Sequence, residues 1–287
     1  MNQRIATAEG LIETASGSAP TVPGPVRVFG DIVVAGGRRV LWNGERGWIE
    51  IGNAGGVVCA VDAPGGVIVG TEGAHLLRHT AAGLEPVRGF EVMEGRDEWH
   101  TPWGGPPEVR SLACTPDNVL FANVHVGGVA RSDDGGRTWT PTIDIEDDVH
   151  QVRSVWGRDD LIVAASAIGL LISTDAGITW RVHDRGLHAT YCRAVAVPDD
   201  AILISASEGP RGHQSAVYRT NIHATERFER VTDWIDGNVD SHALDGIGEL
   251  AAFGTPRGEV YESEDSGATW TRTRQGLAPI TSLSLVP

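Results

Sequence analysis

The chain contains no lysine. All 23 of its basic residues are arginine, and 38 acidic residues outweigh them for a formal charge of −15. A surface this acidic, with no arginine-rich run, is repelled by phosphate backbones and anionic headgroups, which argues against nucleic acid and membrane surfaces as partners. Cysteine is scarce: Cys59, Cys114 and Cys192 are odd in number and sit in apolar stretches, so a disulfide framework is not expected and a reducing compartment is. Long hydrophobic runs are missing as well. The longest mostly apolar stretch, Leu161 to Ser173, falls short of the roughly 20 residues of a membrane span, and the opening MNQRIATAEG lacks the apolar segment of a secretory signal. The expectation is a cytoplasmic monomer.

Sustained 3.6-residue periodicity is also absent, while 37 glycines and 15 prolines supply turn punctuation. What is present is repetition. Residues 132–139 read SDDGGRTW, residues 173–180 STDAGITW and residues 263–270 SEDSGATW, one pattern, Ser-x-Asp-x-Gly-x-Thr-Trp, three times. Upstream of each copy lies a similar frame: a short apolar strand (VRSLA at 109, VRSVW at 152, ALDGI at 243), a turn, a second apolar strand, a glycine-containing turn, and a strand leading into the motif. The frame describes a four-stranded unit.

Weaker copies without the motif begin at VRVF (26), VVCAV (57) and CRAVAV (192). The two chain ends supply one further unit, with ITSLSLV (280–286) as its first strand and IATAEGLIET (5–14) following. The predicted blades span 26–51, 57–89, 108–143, 151–184, 191–233, 243–277, and 279–287 joined to 2–23. Seven units over 287 residues is close to the period of propeller blades. A single-domain, all-β, seven-bladed propeller over 1–287 is therefore expected, closed by pairing of the C-terminal strand with N-terminal strands; six blades is the runner-up. Short sheets with two apolar faces bury them by stacking on neighbours.

The repeated motif resembles the Asp-box, or bacterial neuraminidase repeat, of sialidases, sortilins, xyloglucanase-type glycoside hydrolases and photosystem II assembly factors. The resemblance implies a turn staple in which Asp134, Asp175 and Asp265 accept backbone N–H bonds and Trp139, Trp180 and Trp270 cover the blade edge. Each box has too few carboxylates for the 6 to 8 oxygen ligands that Ca²⁺ prefers. It also implies that the boxes lie on the face opposite the ligand site. On that opposite face fall the turns bearing His75, His125 and His213 and the connections bearing His100, His150, His188 and His242. The same connections carry an insertion, Gly89 to Glu108, that includes Trp103, and an acidic run from Asp144 to Asp148.

Imidazoles converging from several blades could hold Zn²⁺, Fe²⁺ or Cu²⁺, and His125, His150 and His242 are the expected metal trio; no HExxH or CxxC spacing supports it. One aligned inner-strand position carries Arg110, Arg153 and Arg193, and Asp245 in a fourth blade. A repeated arginine on a buried strand needs a reason: either a carboxylate-binding cluster, as in the arginine triad of sialidases, or interblade ion pairs with Asp245, Glu108 or Asp148. Glu72, His188 and Tyr191 complete the expected ligand-binding set, and His150, His242 and Asp245 are the expected catalytic residues. No tyrosine and glutamate nucleophile pair of a true sialidase is recognisable. Two functions are expected to compete: a propeller binding an anionic or sugar-like small molecule, with metal-assisted hydrolysis or elimination, and a non-catalytic protein-binding or assembly module.

Overall fold

The computed structural model describes residues 2–13, 21–101 and 104–286; Trp103 and part of the expected N-terminal blade lie outside them. Seven sheets follow one another along the chain. Six have four strands, over residues 26–53, 57–86, 109–143, 149–183, 191–230 and 244–274, and in each the strands pair in chain order. The seventh joins the chain ends in the order Leu11–Glu13, Gln3–Thr7, Ile280–Leu285. The chain is a seven-bladed β-propeller, and its C-terminal strand pairs antiparallel with Gln3–Thr7, as Ile5 opposite Leu283 shows. Six blades is thereby set aside.

Burial across each sheet follows from composition. Second strands such as Ile32–Ala35, Leu120–Val124 and Ala201–Ser207 are buried at every position, because both of their faces are covered. Fourth strands such as Thr140–Ile143 and Thr271–Arg274 are mostly exposed and polar. Buried main-chain groups still need partners, and inner-strand serines supply several. Ser111 Oγ accepts the Val152 N–H at 2.9 Å, Ser154 Oγ donates to the Cys114 carbonyl at 2.8 Å, and Ser282 Oγ accepts the Val28 N–H at 2.7 Å. These are the serines of VRSLA, VRSVW and ITSLSLV, so the recurring strand also records how one sheet is fastened to the next.

Two compact units divide the chain: 31–164 with 171–181, and 1–30 with 165–170 and 182–287. The first has a core around Phe121, Val129, Val152, Ile162 and Leu171. The second has one around Leu203, Val217, Leu244 and Phe253.

The three repeated turns are built alike. Ser132, Ser173 and Ser263 each donate to the aspartate two residues on and accept the N–H of Gly136, Gly177 and Gly267. Thr138, Thr179 and Thr269 donate to the same aspartates through both main-chain N–H and hydroxyl. Bonds from the Thr138 N–H and hydroxyl hold the Asp134 carboxyl far below its ordinary range, and bonds from the Thr179 and Thr269 hydroxyls and N–H groups hold Asp175 and Asp265 at about 2. Gly267 has φ +81°, and a Cβ there would meet the Leu203 side chain.

The insertion after residue 86 is seated on the first of these turns. Its short helix, Arg88–Glu91, brings Gly89 directly against the main chain of Gly136 and Arg137, so closely that a Cβ would overlap the Arg137 carbonyl. Phe90 meets Trp139 edge-on at 5.2 Å, and Arg96 lies over the Phe90 and Trp99 rings while pairing with Glu91 at 3.3 Å.

Candidate functional site

The densest group of ligating side chains lies in the unit containing 31–164. His125 stands in the tight turn between Leu120–Val124 and Gly128–Ser132, where Val126 at φ 50° and Gly128 at φ 70° reverse the chain. His150 was expected on a connection between blades. It lies instead inside an inner strand, because Val149–Val155 starts two residues earlier than the repeat frame suggested. Asp148 precedes that strand in the left-handed conformation, φ 44° and ψ 67°, closing the 3₁₀ turn Ile145–Asp147 whose N-terminus is capped by Asp144. That strained backbone aims its carboxylate at both histidines.

The Asp148 oxygens lie 3.2 Å from His125 Nε2 and 3.5 Å from His150 Nε2. His150 is fully buried, His125 nearly so, and Asp148 partly open to solvent. Burial raises the Asp148 carboxyl, but the adjacent His125 and His150 imidazoles together outweigh it and hold the group far below the usual carboxylate range. One nitrogen of Arg110 approaches the His125 ring nitrogens at 3.0 and 3.2 Å. A guanidinium can only donate, so the ring nitrogen that receives its N–H presents a lone pair. Arg110 reaches this position because its strand bulges between Val109 and Ser111, which re-aims the side chain. Glu108 Oε1 stands 4.0 Å from His125 Nδ1. Donor atoms of His125, Asp148 and His150 all lie within 4.8 Å of one another, a spacing that one metal ion could bridge.

The other expected residues are placed as follows. Arg153 is half-buried in Val149–Val155, on the strand of His150. Glu72 is exposed and makes an isolated bridge with Glu108. Five expected residues belong to the second unit. Arg193 sits at a bulge like that of Arg110 and pairs with Asp240 at 3.3 Å. His242, at φ 66°, packs edge-on against Phe29 at 4.9 Å, and Asp245 accepts the Leu285 N–H at 2.9 Å. His188 hydrogen-bonds Tyr218 Oη at 2.6 Å, with Trp234 edge-on at 4.9 Å, and burial lowers its pKa; Tyr191 begins the strand Tyr191–Ala196. Thus His125 and His150 come together, and the third donor beside them is Asp148. The acidic run pointed to this carboxylate, but its left-handed backbone has no marker in the sequence.

No protein-family model matches the chain, and no curated protein sequence does. Solved structures do resemble it. The GH74 xyloglucanase from Xanthomonas campestris is 18% identical with a TM-score of 0.60, over 95% of this chain and 47% of that one. The GH74 enzyme from Niastella koreensis is 14% identical at 0.57, over 94% and 46%. The likeness is one of fold. The computationally designed Ika8 protein, 14% identical at 0.58 over 99% of this chain and 81% of its own, shares it too. The chain spans about half the length of each GH74 enzyme. Among the described residues no helix is long and apolar enough to cross a membrane.

Proposed function

We propose that this propeller binds an anionic or sugar-like small molecule at the site of Arg110, His125, Asp148 and His150, around a divalent transition metal. The observation that carries the reading is the convergence of two imidazoles and one carboxylate within 4.8 Å. Two histidines and a carboxylate form a donor set suited to Zn²⁺ or Fe²⁺, and a three-ligand site leaves positions for water and ligand. A bound metal would displace the protons that otherwise link the two histidines to Asp148, so loading would release acid. Arg110, fixed beside His125, would meet a carboxylate or phosphate on the ligand. Metal-assisted hydrolysis or elimination is the chemistry such a centre supports. Resemblance of the three turns to Asp-boxes, and a structural neighbour that is a xyloglucanase, make carbohydrate the first ligand class to test.

Metal analysis by mass spectrometry on tag-free protein tests this. One equivalent of zinc, iron or copper is expected, falling at least tenfold in Asp148→Asn and His150→Ala. Metal-free protein that also fails to take up metal on dialysis overturns the metal centre, and retention of metal by both variants overturns the assignment of residues. A protein-docking module is the second reading, favoured by Trp156, which is 94% exposed at a turn.

A further inference from the structure

Three arginines from a strand, the short helix after its hairpin and a distant turn meet at a cavity of about 410 Å³ lined by Arg78, Thr80, Glu85, Arg88, Gly135, Gly136 and Arg137, among others. None of these residues belongs to the site of His125, Asp148 and His150. Arg78 is half-buried in the third strand of its sheet, Leu76–Thr80, and its Nε and Nη2 are shielded from solvent without a hydrogen-bond partner among the described residues. Leaving guanidinium N–H groups shielded and unpaired is costly. Two Arg78 nitrogens are shielded in this way, whereas Arg193 and Arg274 each have one, and Arg4, Arg39, Arg131, Arg158, Arg257 and Arg272 pair with carboxylates.

The cavity does contain one carboxylate. Glu85 stands opposite Arg78 in the strand register, yet its Oε2 takes the Thr80 hydroxyl at 2.9 Å. Arg88 and Arg137 come from the two segments locked together at Gly89, so the tight contact of the insertion with the first repeated turn is also what places their cations at the cavity. We propose that this cavity is a binding site for a small oxyanion, a phosphate or carboxylate group, held by Arg78 at its inner end and by Arg88 and Arg137 at its mouth. Arginine forks match both groups in charge and geometry, and the volume admits a sugar-sized molecule bearing one. Glu85 is placed to accept hydroxyl hydrogens of such a molecule while repelling its charge.

Isothermal titration with inorganic phosphate and, separately, with D-glucuronate tests the site and distinguishes the two groups. Saturable binding of at least one probe is expected, weakening as salt is raised. Arg78→Gln and Arg137→Gln should each weaken it about tenfold or more, and Glu85→Gln should leave it equal or tighter, each with an unchanged thermal midpoint as evidence of folding. Absence of binding by both probes to the parent protein overturns the proposal. So does binding that folded Arg78→Gln and Arg137→Gln leave unaltered.

Discussion

A single aspartate fixes each repeated turn. Asp175 Oδ1 takes the N–H groups of Ile178 and Thr179, while Oδ2 takes the Thr179 hydroxyl at 2.6 Å. Its exposure to water limits what these bonds are worth, so Asp175→Ala should lower stability by about 1 kcal/mol, measured by urea unfolding. The folded pKa of about 2, for Asp175 and Asp265 alike, lies below the ordinary value of roughly 3.9. Stability from these carboxylates is therefore complete above about pH 4 and is lost as pH falls through about 2. Unfolding midpoints should decline across that window, and Asp175→Asn together with Asp265→Asn should flatten the decline.

Among elements, the insertion helix Arg88–Glu91 is held by what its second residue lacks. Gly89 rests on the main chain of Gly136 and Arg137, with Phe90 against Trp139 and Glu91 bonded by His75 Nδ1 at 2.9 Å. Adding one methyl forces the helix off the turn, and overpacking of this kind costs about 1–3 kcal/mol. Gly89→Ala should lower the melting temperature, raise hydrogen exchange through residues 88–99, and change tryptophan emission from Trp99 and Trp139. An unchanged exchange pattern would show that the helix is held elsewhere.

Across the molecule, legibility in the sequence tracked the range of the interaction. Turns stapled within eight residues repeat visibly, and with them came the blade count and the pairing of the chain ends. Inner-strand serines were visible as repeated letters, but their role became apparent only when Ser111 met Val152 across sheets. The proximity of His125 and His150 followed partly from the repeat frame; Asp148 depended on a left-handed residue at a strand start. Arg137 joins Arg78 and Arg88 only through the packing of the insertion helix on the distant turn, so no local pattern announces the cavity. The terminal sheet has a further consequence. The Val286 N–H donates to the Asn2 carbonyl at 3.1 Å, so residues 2 and 286 are neighbours on one ladder. Connectivity there is exchangeable: a gene encoding a short glycine-serine bridge from 286 to 2, with new termini at the exposed Glu45–Arg46 turn, should yield a circular permutant with the parent's circular dichroism and a similar melting temperature.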